Sequence, residues 1–301
     1  GDVLLKKVSP QHLTADLKVS RDDYYRIHLQ NQEEVWYPAS DEFLIRALED
    51  QPPLVSFKSP GRDQRVTNIE EVFAEVKAQD DYGIGKTRIH FSVNGDSEQA
   101  VKLNQPAGSR SFVTSHTFYL EEFGLSPGDF VSYYAQADDA ISSSVTDIYF
   151  LEVEPYDREY YQSQSQGMSI PASNNEDLKL AKRRKEIIVA TFKLRFEKSS
   201  RAGFKEDIQT LALVQQRLQG QTQTLIDRLE LRRTAAADPR FQKMADHLKQ
   251  AVEHMDPDHD HLSKSAPKKA LPEEQKALQQ LLRAEALFKE IQVSFSQSQS
   301  G

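Results

Sequence analysis

The sequence contains no cysteine, and glycine accounts for only 12 of its 301 residues. Without cysteine the chain has no disulfide bond, no catalytic thiol and no zinc–thiolate site, but the compartment stays open because periplasmic chains can also lack cysteine. No apolar run is long enough to cross a bilayer, and no signal peptide opens the chain. Because the chain begins inside a predicted strand, GDVLLKK, we expect it to be a piece of a longer protein.

Positive charge is also scarce. The net charge of −8 argues against a nucleic-acid partner, because binding to a phosphate backbone depends on clustered positive charge. The densest basic run, KRRK at residues 182–185, is predicted to be a solvated helix face. A hydrophobic fraction of 38% and a charged fraction of 28% indicate a soluble chain with modest cores, long enough for two or three domains.

The stretch DDYGIGKT at residues 80–87 ends like a phosphate-binding P-loop, G-x-x-x-x-G-K-[ST]. However, Asp80 occupies the place of the first glycine, and Asp81 adds a second negative charge where phosphates would lie. Apolar residues alternate with polar ones on both sides, in VFAEVKAQ and RIHFSVNG, which predicts strands and not the helix that a P-loop opens. We therefore predict a β-turn and no nucleotide site.

An internal repeat links two segments of the first half. The first reads DDYYRIHLQN and then SDEFLIRALEDQPP, and the second reads FVSYYAQADD and then TDIYFLEVEPYD. Aligned on Tyr25 and Tyr133, the two segments also match Phe43 with Tyr149. Each copy is predicted to be a strand, a turn-rich loop and another strand.

Short predicted strands separated by turn signals are typical of an all-β sandwich. The stretch GDFVSYYAQA resembles strand F of an immunoglobulin-type domain, in which the spacing of Asp129 and Tyr133 would form a tyrosine corner. We predict an immunoglobulin-like β-sandwich at 53–154 and a partial domain of the same kind at 1–52.

Acidic residues are expected to gather at one end of this sandwich, where the chain also enters from the preceding domain. The six carboxylates are those of Glu49, Asp50, Asp80, Asp81, Asp138 and Asp139. Because calcium takes six to eight oxygen ligands of this kind, the junction is a candidate calcium site. The alternative is that Asp80 and Asp138 accept backbone N–H bonds in Asx-turns.

After EPYDREYYQ the composition changes to SQSQGMSIPASNN, which has too few apolar residues to order itself and predicts a flexible linker at 155–173. Beyond it, apolar residues recur at steps of three and four, which predicts an α-helical domain at 174–295 and a low-complexity tail at 296–301. Four helices are predicted, starting near Ser173 or Asn174, near Phe204, at Asp238–Pro239 and near Leu271–Pro272. A small antiparallel bundle is expected, with a stack of helical repeats as the alternative.

Four of the eight histidines fall in HLKQAVEHMDPDHDHL, among several carboxylates. Imidazole and carboxylate both bind zinc and similar ions. The candidate metal ligands are His254, Asp258, His259 and His261. Neither H-E-x-x-H nor EF-hand spacing is present, so the alternative is a solvated turn between helices, capped by Asp256 and Pro257.

No nucleophile elbow and no dinucleotide fingerprint are present, so no catalytic residue is predicted. One group of aromatic residues is open to two interpretations. Trp36, with Tyr24, Tyr25 and Tyr37, could line a sugar-binding face or form the core and edge of a sandwich.

Several phrases carry a family resemblance: DDYYRIHLQN, VKAQDDYGI, HTFYLEEFGLSPGDFVSYYAQADD, DIYFLEVEPYDREY and ALPEEQKALQQLLRAEALFKEIQV. Together they resemble a family of large, uncharacterised bacterial envelope proteins that is classed as a domain of unknown function. The resemblance implies immunoglobulin-like and helical parts in the periplasm and membrane helices outside this chain. It supplies no catalytic residues.

Three functions follow as hypotheses. The first is a non-enzymatic extracytoplasmic scaffold whose helical part binds another envelope protein. The second is a module that binds carbohydrate or peptidoglycan through the sandwich loops. The third, a metal-dependent enzyme, depends only on the histidine-rich region. No cofactor is predicted beyond the candidate calcium, and the membrane is reached only through segments outside this chain.

Overall fold

The computed structural model describes residues 3–106, 108–154, 179–233 and 239–298. Sheets of mostly antiparallel strands come first along the chain, and four helices follow them. The chain divides into two units, Gly1–Gln51 and Pro52–Gly301. The predicted linker at 155–173 and the predicted start of the first helix lie outside the described residues.

The first unit consists of short two-stranded antiparallel ladders. They pair β1 (Lys6–Ser9) with β2 (His12–Thr14), β3 (Asp23–Tyr25) with β6 (Phe43–Ile45), and β4 (His28–Gln30) with β5 (Trp36–Pro38). Every strand residue is exposed except Ile45, which is half-buried. This unit therefore has little apolar core of its own. Isolated two-stranded ladders are only marginally stable in water.

The second unit begins with two packed sheets. The three-stranded sheet has the order β12-β9-β7, with β7 at Leu54–Ser59, β9 at Glu71–Gln79 and β12 at Ser111–Tyr119. The other sheet has the order β11-β10-β13-β15-β8, and β14 also pairs with β13. Its strands are β8 (Gln64–Val66), β10 (Lys86–Val93), β11 (Gln99–Lys102), β13 (Phe130–Asp138), β14 (Ser143–Val145) and β15 (Tyr149–Val153). The β15–β8 pair is parallel, and the other pairs are antiparallel.

One apolar core lies between these two sheets. Alternation along β9 buries Val72, Ala74 and Val76, which join Ile89 of β10 and Tyr133 of β13 in a single cluster. The strands predicted in VFAEVKAQ and RIHFSVNG are therefore confirmed. The GKT sequence leads into β10 and does not open a helix.

The helices are α1 (Leu180–Phe196), α2 (Phe204–Arg233), α3 (Pro239–Ser263) and α4 (Pro267–Ser298). Helices α1 and α3 each contact both α2 and α4, which closes a four-helix bundle. No helix in the described ranges is long and apolar enough to cross a membrane.

Two predicted helix boundaries are wrong. Helix α3 continues through Asp256 and Pro257 to Ser263, where a solvated turn is the sequence-based alternative. Helix α4 begins at Pro267, a favoured first helical residue, and Pro272 lies inside it. Positions 296–298 of the predicted tail also belong to α4.

Strand β13 is buried on both faces. Tyr133 and Ala135 belong to the core between the sheets, whereas Phe130 and Tyr134 belong to a second cluster that includes Phe192 of α1. The helices therefore cover the outer face of the larger sheet. A nearly continuous apolar run such as FVSYYAQA is typical of a strand covered on both sides.

Candidate functional site

Helix α4 is fixed on the sandwich by three polar side chains spaced four residues apart. Gln275 Nε2 donates to Ser132 Oγ over 3.1 Å. Gln279 Nε2 donates to Asp129 Oδ1 over 2.9 Å, and Arg283 Nε and Nη2 donate to the same oxygen over 3.1 and 2.9 Å. Residues four apart share one face of a helix, so this row sets the register of α4 on the sheet.

Asp129 has a different role from the one predicted for it. Its carboxylate is buried, with Oδ2 accepting the Ser126 backbone N–H over 2.9 Å and Oδ1 bound to α4. The Tyr133 hydroxyl is buried and has no hydrogen-bond partner among the described residues. The predicted tyrosine corner is therefore wrong, because that motif needs a bond from the hydroxyl to the backbone.

Two glycines let α4 approach the sandwich closely. Gly95 and Gly128 have φ of +83° and +89°, a region that side chains with a Cβ rarely adopt. A Cβ on Gly128 would lie 2.7 Å from Arg283 Cα, and one on Gly95 would lie 2.7 Å from the Pro272 carbonyl oxygen. A larger residue at either position would push the helix away.

The carboxylate of Glu98 fixes the C-terminal end of α1. It accepts hydrogen bonds from Arg195 over 2.7 and 3.2 Å and from the Tyr134 hydroxyl over 3.0 Å, and His90 Nδ1 lies 3.2 Å away. Burial alone would raise the pKa of Glu98, but these hydrogen bonds and the charge of Arg195 lower it to about 2. The rings of His90 and Tyr134 stack at 4.8 Å.

The basic run at 182–185 is not the solvated face that the sequence predicts. Lys185 bonds to Glu152 of β15, and its Nζ lies 3.4 Å from Asp63 Oδ2. Arg183 Nη1 donates to Gln221 over 2.7 Å. Arg184 is fully buried inside the bundle.

Arg184 bonds to all three other helices. Its Nη2 donates to Asp258 Oδ2 of α3 over 2.9 Å, and its Nε donates to the Glu274 carbonyl oxygen of α4 over 3.0 Å. Its Nη1 donates to Gln215 of α2. The Thr191 hydroxyl donates to Glu274 Oε1 over 2.6 Å, so a polar network occupies the centre of the bundle.

One cation in this network faces two carboxyl groups. Burial raises the pKa of Asp258 and, with the nearby Asp258 charge, raises the pKa of Glu274 well above its usual range. Arg184 opposes both shifts without cancelling them. Of the two carboxyl groups, Glu274 is therefore the one that its surroundings hold more strongly in the protonated form.

The candidate metal ligands all lie on α3 but have separate surroundings. Asp258 bonds to Arg184, and His254 Nδ1 lies 2.8 Å from Glu273 Oε2. Within the described ranges no three His, Asp or Glu side chains are grouped so that they could hold a metal ion, and this statement includes His259 and His261. The metal site stays a prediction.

The candidate calcium ligands occupy two units. Glu49 and Asp50 end the first unit, and the other four belong to the second. Asp80 Oδ2 accepts the backbone N–H groups of Tyr82 and Gly83 over 3.0 and 2.5 Å, as in an Asx-turn.

The remaining acids of this group differ among themselves. Asp138 is paired with Arg88 at 2.8 Å and accepts a bond from Gln136, so it is not in the predicted Asx-turn. Asp139 accepts backbone N–H bonds from Ser142 and Ile141, which lower its pKa. Asp81 is exposed. Calcium binding stays a prediction.

Residues 3–48 contain most of the exposed large apolar side chains in the described part of the chain. Of the 28 large apolar side chains that are exposed in the described part of the chain, 17 lie in this segment. They include Trp36, Tyr37, Tyr24 and Tyr25, the aromatic group singled out in the sequence. The segment therefore resembles a binding surface more than a finished domain.

The polar centre of the bundle is absent from the sequence-based predictions, although one signal pointed to it. Gln215 and Thr222 interrupt the apolar stripe of α2, and both are fully buried. Gln215 accepts the bond from Arg184, and the Thr222 hydroxyl donates to the Leu218 carbonyl oxygen over 3.0 Å. A polar residue at a core position indicates a buried partner.

Comparison with known proteins gives no family. The sequence matches no protein-family model and no curated protein. A solved structure called pT26-6p is 10% identical over 92% of this chain, with a TM-score of 0.21. The alignment spans 66% of that protein's length. A likeness this weak carries no argument about fold or function.

Proposed function

We propose that this chain is a non-enzymatic scaffold and interaction region of a bacterial envelope protein, placed outside the cytoplasm. The observation that supports it is the concentration of exposed apolar side chains in residues 3–48. Large exposed apolar patches usually mark contacts with other macromolecules. The extracytoplasmic location and the membrane anchor rest on the family resemblance alone.

We further propose that strands β7–β15 form an immunoglobulin-like sandwich. The separation into β12-β9-β7 and β11-β10-β13-β15 supports this proposal, because such domains split their strands between two antiparallel sheets in this way. The pairing of β8 with β15 adds an edge strand to the larger sheet.

The binding surface belongs, in this proposal, to the first unit and not to the helices. The sequence-based hypothesis assigned partner binding to the helical part. However, Phe192 of α1 and Leu281 of α4 lie in one buried cluster with Phe130 and Phe150 of the sheet. The apolar surface that α1 and α4 already use against the sheet is not free for a partner.

The test is capture of envelope proteins by the immobilised full chain. We expect one protein to bind in stoichiometric amount to the wild type and to the Ile141→Ser control, whose changed side chain is 80% exposed in the second unit. We expect the Trp36→Ser, Tyr37→Ser double variant not to capture this protein. Identical capture by all three chains would refute the proposal.

Carbohydrate binding is the second candidate, since exposed Trp36 and Tyr37 could stack on sugar rings. Co-sedimentation with purified peptidoglycan distinguishes carbohydrate binding from protein binding. If the wild-type chain sediments with it and the double variant does not, the carbohydrate function is favoured over the protein scaffold.

A further inference from the structure

We propose that a groove between the sandwich and the end of α1 binds a small organic cation of the trimethylammonium type. The groove lies in the second unit and has a volume of about 500 Å³, which is within the usual range for small-molecule sites. This site goes beyond the proposed function, whose binding surface lies in the first unit.

Four aromatic rings line the groove. Phe57 of β7 and Tyr149 of β15 are on the sandwich side, and Phe192 and Phe196 are on α1. The two helix residues are four apart and share one face, where their ring centroids are 5.1 Å apart. The rings of Phe57 and Tyr149 are in contact at 5.8 Å. Because the face of an aromatic ring attracts a cation within about 6 Å of its centroid, such walls suit a cationic ligand with apolar substituents.

The charges around the groove also favour a cation. Its lining includes two carboxylates, those of Asp147 and Glu197, and one ammonium group, that of Lys193. Burial, and after it the negative charges of Asp147 and Asp63, raise the pKa of the Tyr149 hydroxyl. The potential at the Tyr149 ring is therefore negative, which is complementary to a positively charged ligand.

One of these rings already contacts a cation inside the protein. The guanidinium carbon of Arg195 lies 5.2 Å from the ring centroid of Phe196. The charge of Arg195 is balanced by Glu98, whose carboxylate lies 2.7 Å away. The Phe196 side chain is 44% exposed, so part of its ring remains accessible to a ligand.

The hydrogen-bonding groups of the lining favour a cation without N–H donors. The Thr146 hydroxyl accepts a backbone N–H bond over 3.1 Å and donates to the Asp147 carbonyl oxygen over 2.7 Å. The carboxylates of Asp147 and Glu197 are paired with Lys193 and Arg201. A primary ammonium has three donors that need acceptors, whereas a trimethylammonium has none and can pack its methyl groups on the rings.

The test is a titration of the purified full chain with choline, followed through the methyl signal of choline by NMR. The matched control ligand is the neutral carbon analogue of choline, in which a tert-butyl group replaces the trimethylammonium group. Ethanolamine is the control cation that has N–H donors. We expect choline to bind at least roughly fivefold more tightly than either control.

Three variants locate the site. Phe196→Leu keeps an apolar side chain but removes the ring, and we expect it to weaken choline binding roughly five- to thirtyfold. Phe73→Leu is the matched control, because Phe73 is 52% exposed on the outer face of β9, and it should leave binding unchanged. Lys193→Gln should strengthen choline binding, because it removes a competing cation and frees Asp147. A gain of binding cannot come from misfolding.

Vesicles of phosphatidylcholine distinguish the two sources of this cation. Sedimentation with the vesicles that excess choline reverses would identify a lipid headgroup, and choline binding without sedimentation would identify a free small molecule. The proposal is overturned by absent choline binding, equal affinity for the neutral analogue, tighter binding of ethanolamine, unchanged binding by Phe196→Leu or no gain with Lys193→Gln. None of these results affects the capture test at Trp36 and Tyr37.

Discussion

Replacing Glu274 by glutamine tests whether the centre of the bundle holds a proton. The Glu274 side chain is fully buried, accepts a bond from Thr191 and lies beside Asp258. Glutamine has the same shape, keeps an oxygen for Thr191 and carries an N–H donor where the protonated acid carries its O–H. The variant therefore keeps the hydrogen bonds and the packing and removes only the ionisable carboxyl group.

The sign of the effect follows from linkage. The pKa of Glu274 is raised in the folded protein, mainly by burial and then by Asp258. The stability from its retained proton is therefore fully present below the unfolded value of 4.5 and is lost as the pH rises toward the folded pKa. One retained proton changes the free energy of unfolding by at most about 1.4 kcal/mol per pH unit. As the pH rises, we expect the free energy of unfolding of the wild type to fall relative to that of the variant, by up to this amount per pH unit.

Urea unfolding followed by far-ultraviolet circular dichroism, at several pH values from about 5 to about 8.5, measures this difference. Glu273→Gln is the matched control, because Glu273 is the neighbouring residue on α4 and its pKa is lowered, not raised. We expect no such slope for the control in this range. A difference between wild type and Glu274→Gln that does not change with pH would refute the raised pKa of Glu274.

Other predictions concern the contacts between sheet and helices. Gly128→Ala should lower the free energy of unfolding by roughly 1–3 kcal/mol more than Gly124→Ala, because both have positive φ but only Gly128 touches α4; equal thermal midpoints would contradict this. Arg195→Gln should reduce, by about 1 kcal/mol after a discount for solvent screening, the free energy of unfolding that the protein loses on acidification. The reason is that the depressed pKa of Glu98 contributes stability that is present above pH 4.5 and lost as the pH falls toward 2. An acid-unfolding curve that is the same in the variant would contradict this prediction. Asp129→Ala should cost roughly 3 kcal/mol in urea unfolding, since charged hydrogen bonds to α4 are lost; an unchanged midpoint would show that this contact is dispensable.

The sandwich strands could be predicted because each has a simple alternation. Val72, Ala74 and Val76 alternate with outward residues, and period-2 alternation has one structural interpretation. The repeat also matches Tyr25 with Tyr133 and Phe43 with Tyr149. In the structure Tyr25 pairs with Phe43 and Tyr133 pairs with Tyr149, so the matched residues occupy equivalent ladder positions. The alternation along a strand involves residues that are close together in the sequence, so it can be recognised without knowledge of the fold.

The position of the helices on the sheet could not be predicted in the same way. An apolar stripe shows that a helix buries one face, but the stripe does not say what covers it. The available signal was in β13, where Tyr133 and Tyr134 are both large and point to opposite faces. Two apolar faces require two covering layers.

Local rules also failed where a tertiary contact outweighed them. Pro257 indicates a helix end, yet α3 continues through it and places Asp258 against Arg184. Proline costs the bond to the carbonyl group four residues earlier. Inside the bundle, Asp258 pairs with Arg184, and Met255 and Leu262 are buried in the core on either side of Pro257.

The order of synthesis gives the double burial of β13 a further meaning. The sandwich is translated before the helices that cover Phe130, Tyr134 and Phe150, and domains generally fold as they emerge. Until the helices have been made, the side of the larger sheet that carries Phe130, Tyr134 and Phe150 lacks the layer that buries it in the complete chain.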